Sequence, residues 1–449
     1  MASYEVSPSI PPEKQPSIGL IGMGEMGRMY CRRFSSAGWA HIYVCDRPEN
    51  FEKLQADLKG TIPTDLSGVT VLPDGHLVSR LSDIIIYSVE AEYIDSVVAD
   101  YGQSTKVGAI VAGQTSVKSP EKLAFEKYLP NDVHIVSCHS LHGPSVSTEG
   151  QPLVLIQHRA PDWALHVMED LLASFRSRYV YLTYEEHDIV TANTQAVTHA
   201  AFLSMGTAWH CSMSYPWEMG QYVGGIETVK VNIMLRIYAN KWHVYAGLAI
   251  LNPSARIQID QYAQSVTEQF KLMITGDEAG LRKRVYDAKE IVFASSAQQR
   301  PPILLSEEIL DRFSLGSRPQ TPIRPRANSH LSLLAMVDCW AALRIRPYEH
   351  LDLAATPIFR MWIGVAEYLF RSNERLDAAV QAAVNDVSHR SDDLEFVVAA
   401  RGWSQCVSFG NFDLYRERFT HTAKFFESRF AEANRVGSQM IKAILEAAP

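Results

Sequence analysis

No Cys-x-x-Cys pair occurs in the 449 residues; the six cysteines, Cys31, Cys45, Cys138, Cys211, Cys339 and Cys406, are scattered. That argues against a zinc ribbon and a thioredoxin-like redox motif, and so sparse a set suits a reducing compartment. No run approaches the roughly 18 apolar residues that a membrane-spanning helix requires. The stretch before Ser17 is polar and proline-rich, without the apolar centre of a secretory signal. Positive charge is not in excess either. There are 42 Lys and Arg against 50 Asp and Glu, a formal net charge of -8, which argues against a general nucleic-acid coat. A small anion held in a local basic pocket stays open. With 47% hydrophobic and 20% charged residues the chain is too apolar for disorder. At about 150 residues per domain, two to three domains are expected. A soluble cytoplasmic protein without a metal site is the base expectation.

What is present is a succession of short apolar runs. Ser17-Ile18-Gly19-Leu20-Ile21 and His41-Ile42-Tyr43-Val44-Cys45 read as strands. Between them lies a helix pattern from Glu25 to Ala37, with Gly38 placed to stop it. Further β-branched runs cover 83–89, 107–112, 133–138, 153–157 and 179–182. Continuously apolar strands separated by helices predict an α/β fold with a largely parallel sheet buried on both faces. From Glu185 onward the periodicity turns helical, and the four strands of a βαββαβ regulatory domain are not found. The predicted organisation is a flexible tail over 1–16, a Rossmann-type dinucleotide-binding domain over 17–184 and an all-helical domain over 185–297. A Pro-, Arg- and Ser-rich linker over 298–328 and a helical C-terminal extension over 329–449 complete it.

The strongest local motif is Gly22-Met23-Gly24-Glu25-Met26-Gly27, directly after the first strand and opening the first helix. Gly22 allows the tight turn, Gly24 the approach of a pyrophosphate, and Gly27 close packing of helix on strand. The helix N-terminus offers unpaired N–H groups to phosphates. Asp46 ends the second strand, where an acid accepts the ribose 2′-OH of NAD. Arg47 follows it, and a guanidinium there holds the 2′-phosphate of NADP. On these residues alone NAD and NADP are nearly even. Ser88, at the end of a later strand, completes the expected cofactor-binding set.

Three further segments carry chemistry. Gly113-Gln114-Thr115-Ser116-Val117-Lys118 lies just past a strand end, where ligands of open parallel sheets sit. Ser116 there either hydrogen-bonds a substrate hydroxyl or an imidazole, or caps the helix that follows. His139-Ser140-Leu141-His142-Gly143-Pro144 sets two imidazoles after a strand; histidine titrates near neutrality and takes a proton from a hydroxyl as hydride leaves. Gln195 and His199 share a helix face at i, i+4, and Arg236 opens a cluster with Lys241 and His243. Arginine binds carboxylates through two parallel hydrogen bonds.

Together these segments resemble the prephenate dehydrogenase family, most of all its fungal NADP-dependent branch. Glu186-His187-Asp188, Gln195-Ala196-Val197-Thr198-His199-Ala200, Leu235-Arg236-Ile237-Tyr238 and Asn328-Ser329-His330-Leu331-Ser332-Leu333-Leu334 belong to the same match. The resemblance implies a helical domain like that of 6-phosphogluconate dehydrogenase and a homodimer formed through it. It also implies NADP-dependent oxidative decarboxylation of prephenate to 4-hydroxyphenylpyruvate in tyrosine synthesis, with NAD the other cofactor choice. Carried over, His139 is the base, Ser116 bonds His139 or the substrate hydroxyl, and Arg236 with His199 binds a substrate carboxylate; His142 and Gln195 complete the substrate set. The family pattern has Pro after the catalytic His where this chain has Ser140, and His142 is an extra imidazole, so either can be the base. Arogenate or another hydroxyacid as substrate, and a non-enzymatic NADP sensor, are the competing readings. A β-hydroxyacid dehydrogenase would need a lysine between Glu186 and Trp209, and none is there.

Overall fold

The computed structural model describes residues 6–60, 66–144, 146–219, 224–293, 302–304, 306–315, 328–354 and 357–446. The start of the predicted tail and most of the predicted linker lie outside the described residues. The chain divides into two compact units, residues 1–188 and 189–449.

The first unit is built on eight strands: β1 (Ile18–Ile21), β2 (Ile42–Cys45), β3 (Val69–Val71), β4 (Ile84–Tyr87), β5 (Ile110–Gly113), β6 (His134–Ser140), β7 (Pro152–Gln157) and β8 (Arg178–Tyr181). Their order in the sheet is β3-β2-β1-β4-β5-β6-β7-β8. The first six are parallel; β7 runs antiparallel to β6, and β8 parallel to β7. Seven helices accompany them: α1 (Glu25–Ala37), α2 (Phe51–Gly60), α3 (Gly75–Leu81), α4 (Ile94–Tyr101), α5 (Lys118–Tyr128), α6 (Asp162–Leu172) and α7 (Tyr184–Thr191).

The continuous apolar strands divide their side chains between two cores, as a period of two requires. Ile84 and Ile86 pack with Tyr30, Phe34 and Phe175 on one face, while Ile85 and Tyr87 pack with Val98 and Phe125 on the other. The strand order reverses between β1 and β4, the point at which open α/β sheets bind ligands. Because β1, β4, β5 and β6 are parallel, the glycine motif, Ser88, Ser116 and His139 all come at one edge of the sheet.

Three local results differ from expectation. β3 was not read from the sequence, because it is only three residues long and partly exposed at the sheet edge. The second is that β6 continues to Ser140, so His139 sits inside the strand, opposite Val154 of β7, rather than after it. Residues 6–16, the described part of the predicted flexible tail, are fastened down. Gln15 donates to the Pro8 and Ile10 carbonyls at 3.0 Å and accepts from Ala40 N–H at 2.8 Å.

The second unit is helical: α8 (Val197–Cys211), α9 (Gly225–Tyr238), α10 (His243–Leu251), α11 (Pro253–Thr275), α12 (Glu278–Phe293), α13 (Glu307–Leu310), α14 (Leu331–Ala342), α15 (Pro347–Ala354), α16 (Pro357–Phe370), α17 (Asn373–Asn385), α18 (Arg390–Ser408), α19 (Phe412–Phe426) and α20 (Phe430–Glu446). One apolar core joins the two stretches predicted as separate helical regions. Phe202 meets Trp362 at 4.4 Å between ring centres, Tyr238 meets Phe419 at 5.0 Å, and Trp403 Nε1 donates to Thr207 at 3.0 Å. The reason is that α8, α9 and α14 are buried nearly all round, and a helix without a polar face needs cover on every side. No helix of the described residues is long and apolar enough to cross a membrane.

A buried ion pair fixes the ends of β5 and β6. Lys118 and Glu121 are both fully buried, 2.9 Å apart. The ammonium also donates to the Gly113 and Cys138 carbonyls and to Ser137 Oγ, and Glu121 accepts from Thr115 Oγ1 at 2.5 Å and from Ser137. Removing one partner of such a pair leaves an uncompensated buried charge, costing about 3–5 kcal/mol. Lys118→Met is therefore expected to lower Tm by roughly 10 °C in a calorimetric melt; a shift under about 2 °C would show that the pair is not holding these strand ends.

Candidate active site

The glycine turn has the geometry a dinucleotide needs. Gly22 has φ +101°, and a Cβ there would lie 2.3 Å from the Ser88 carbonyl oxygen. At Gly24 a Cβ would point into open space, with no atom within 4 Å. No side chain caps the N-terminus of α1, which begins at this turn. An open cradle and an uncapped helix start fit a pyrophosphate. Ser88 Oγ, across the turn, donates to Gln114 Oε1 at 3.1 Å.

Asp46 and Arg47 do different work. Asp46 accepts from Met23 N–H and Arg47 N–H at 2.8 Å and from Asn50 Nδ2 at 2.9 Å. Partial burial pushes its pKa up, but these donors outweigh that and hold it below the ordinary carboxylate value. Asp46 is thus a strut of the glycine turn. The Arg47 side chain is 78% exposed, with Glu49 3.8 Å from its Nε.

At the end of β6 three side chains connect in series. His139 Nδ1 lies 2.8 Å from His187 Nε2, and His187 Nδ1 lies 3.0 Å from Asp188 Oδ1. Asp188 also accepts from Lys118 N–H at 2.7 Å, Ser119 N–H at 2.8 Å and Ser119 Oγ at 2.5 Å. It therefore caps α5, which has no cap of its own. Burial pushes the Asp188 pKa up, yet the donors on it prevail and hold it below the usual value. Burial lowers the His187 pKa more than Asp188 raises it. His139 is depressed well below the ordinary histidine value, first by burial and then by the nearby charges of His187, Lys118 and His142. His139 is thus a neutral imidazole, a base at physiological pH.

The other predicted residues of this unit are less engaged. Ser116 does not bond His139 Nδ1, which His187 occupies; among the described residues Ser116 has no hydrogen-bond partner and does not cap α5. His142 Nδ1 lies 3.0 Å from the carbonyl of its neighbour Gly143, and its buried Nε2 is unpartnered.

In the helical unit Gln195 lies in a π-helical turn, Ala192–Ala196, that leads into α8. His199 meets Tyr245 edge-on at 4.8 Å and lines an apolar cavity with Leu248, Trp403 and Tyr415. Burial pushes its pKa down to about 3, so it contributes no positive charge. Arg236, near the end of α9, makes one 3.4 Å contact to Ser438 Oγ. Among the described residues no carboxylate pairs with it. Its charge reaches Tyr245, so Arg236 and His199 approach the same phenol ring. No group of His, Cys, Asp or Glu among the described residues could hold a metal.

Residues 196–446 match the family described as the 6-phosphogluconate dehydrogenase C-terminal domain, and residues 17–112 match that described as NADP oxidoreductase, coenzyme F420-dependent. The probable prephenate dehydrogenase [NADP(+)] of Schizosaccharomyces pombe is 52% identical over 430 residues, 96% of this chain and 97% of that protein. The prephenate dehydrogenase [NADP(+)] of Saccharomyces cerevisiae is 52% identical over 435 residues, 95% of this chain and 94% of that one. The chain belongs to the prephenate dehydrogenase family. A solved prephenate dehydrogenase from Aquifex aeolicus is 19% identical, with a TM-score of 0.48 over 61% of this chain and 94% of that chain.

Within the prephenate dehydrogenase frame, sequence reasoning assigned no role to His187, Asp188, Lys118 or Glu121. The visible signal was Glu186-His187-Asp188, an acid beside an imidazole, but its partner His139 lies 48 positions away, and spacing cannot show that contact. The depressed His139 pKa has a direct consequence. A base with a lowered pKa keeps its free form into more acidic solution, so kcat/KM should hold through pH 6.5, the ordinary histidine value, and fall only below it. A rate profile with its acid limb centred above pH 6.5 would contradict the assignment.

Proposed function

We propose that this chain is an NADP-dependent prephenate dehydrogenase, with His139 as the catalytic base. The observation that carries the reading is the 52% identity to two NADP(+)-named prephenate dehydrogenases over nearly the whole chain. The site chemistry agrees with it. The nicotinamide of bound NADP supplies the hydride acceptor. Gly22, Met23, Gly24, Glu25, Met26, Gly27 and Ser88 form the turn proposed to hold the dinucleotide, and Arg47 the 2′-phosphate. With Asp46 committed to Met23, Arg47 and Asn50, the acid that would favour NAD is turned inward.

The neutral His139 ring takes the proton of the ring hydroxyl as that carbon gives up its hydride. The ring carboxylate then leaves as carbon dioxide, its bonding pair flows into the ring, and the carbonyl oxygen becomes a phenol by taking the proton back. Proton removal and return both need a base near neutrality, which His139 provides. Ser116, free of partners, is proposed to bond the substrate hydroxyl, with His142 and Gln195 as lesser contacts. Arg236 is proposed to bind a substrate carboxylate, with His199 beside it as a neutral hydrogen-bonding group.

A homodimer through the helical unit is part of the proposal, supported by the exposed apolar side chains Ile257, Val398 and Phe409 on that unit; a monomeric mass in sedimentation at micromolar concentration would refute it. Six free cysteines, five of them buried, favour a cytoplasmic location.

His139→Asn should lower kcat by about 10²–10⁴-fold; retained activity there, with loss in His142→Asn instead, would move the base to His142. Arg236→Ala should raise KM for prephenate by roughly 10–100-fold, the worth of a charge-assisted hydrogen bond. An unchanged KM would remove it from the site. Arg47→Ser should raise KM for NADP by a similar factor and leave NAD use unaltered; equal effects on both cofactors would refute its 2′-phosphate role.

A further inference from the structure

We propose that His187 is a positioning residue that fixes His139 in the tautomer with a bare Nε2, the nitrogen that serves as base. The inference rests on the reading of His139 as the base. It follows from proton bookkeeping along the series of contacts. Asp188 is ionised and can only accept, so the proton between it and His187 Nδ1, 3.0 Å away, belongs to the imidazole. His187 is neutral, because burial drives its pKa down, and it is fully buried. A neutral imidazole with its proton on Nδ1 has a lone pair on Nε2. That Nε2 faces His139 Nδ1 at 2.8 Å, so His139 must donate from Nδ1 and carries no proton on Nε2. With the opposite tautomer of His139, two lone pairs would confront each other in a buried contact.

The same chain serves the charged state. When His139 takes the substrate proton on Nε2 it becomes a cation, and its Nδ1–H then points at an acceptor whose own Nδ1–H is anchored on a carboxylate. Asp188 is itself held by Lys118 N–H, Ser119 N–H and Ser119 Oγ at the start of α5. The base is therefore oriented by a neighbour that is in turn oriented by a third group, the general arrangement of base, orienter and support. His187 touches no reacting atom in this scheme; it acts only through His139.

The test compares the full-length protein with its His139→Asn, His187→Leu and His187→Gln variants. The readouts are kcat, KM for prephenate and NADP, and Tm. His187→Leu should lose about 10–100-fold in kcat, the usual effect of removing an orienting partner, with KM for NADP unchanged. His187→Gln, whose amide oxygen can accept from His139 Nδ1–H, should recover most of that loss at a similar Tm. An unchanged kcat in His187→Leu, with His139→Asn inactive, would overturn the positioning role and leave His139 as the base. Equal losses in Leu and Gln variants would reduce His187 to a packing residue and also overturn it. An active His139→Asn would instead sink the underlying reading. Should the Leu variant not fold, ¹⁵N-histidine spectra of the unmutated protein decide the matter, the His139 signals being those missing from His139→Asn. A protonated Nδ1 with a bare Nε2 is expected, and a protonated Nε2 would overturn the proposal.

Discussion

The chemistry of the first unit depends on one largely buried carboxylate. Asp188 sits at the end of that unit and accepts the first backbone N–H groups of α5, so the helix dipole and three donors keep it ionised. Its remaining capacity is turned to His187, and through it to His139. Fold and reactivity are thereby coupled. The cap that starts α5 also sets the protonation of the imidazole at the end of β6. Beside it, the Lys118–Glu121 pair binds the same strand ends together from within. A buried pair of this kind brings little net stability by itself. What it supplies is position, since every acceptor around the ammonium lies at the end of β5 or β6 or on Glu121 of α5.

The rest of the site follows from sheet direction. Parallel strands deliver their carboxyl ends to one edge, and the reversal of order between β1 and β4 opens the crevice there. The glycine turn uses that opening: Gly22 adopts a left-handed backbone against the Ser88 carbonyl, and Gly24 leaves space for phosphate. Asp46, which on motif grounds belongs to a ribose, is instead bound to the turn it adjoins. The second unit obeys a different constraint. Its helices are too apolar to stand as two separate layers, and residues on both sides of the 298–328 stretch close into one core.

Much of this was legible in the residues. Continuous β-branched runs revealed seven of the eight strands because a doubly covered strand has no polar face to obscure the pattern. Gly38 marked the end of α1, and the glycine motif marked the nucleotide turn. Three-residue β3 escaped because an edge strand of that length carries almost no period. His139 was legible as chemistry but not as geometry. Its orienting partner is a contact of 48 positions, made by packing α7 against β6, and no spacing rule reaches that far. Ser116 looked like that partner because it lies beside a strand end, yet the packing gave the place to His187. For the same reason His199 could be placed on a helix face but not recognised as a neutral ring in an apolar cavity, since its low pKa comes from burial by residues up to Tyr415.

The measurement that bears most directly on the account is the near-ultraviolet absorbance of reduced nicotinamide when the purified protein is mixed with prephenate and either NADP or NAD. Reduction of NADP, with release of carbon dioxide and 4-hydroxyphenylpyruvate, is the predicted result. Reduction of NAD alone would overturn the roles given to Asp46 and Arg47. Silence with both cofactors, while NADP still binds, would contradict the central claim.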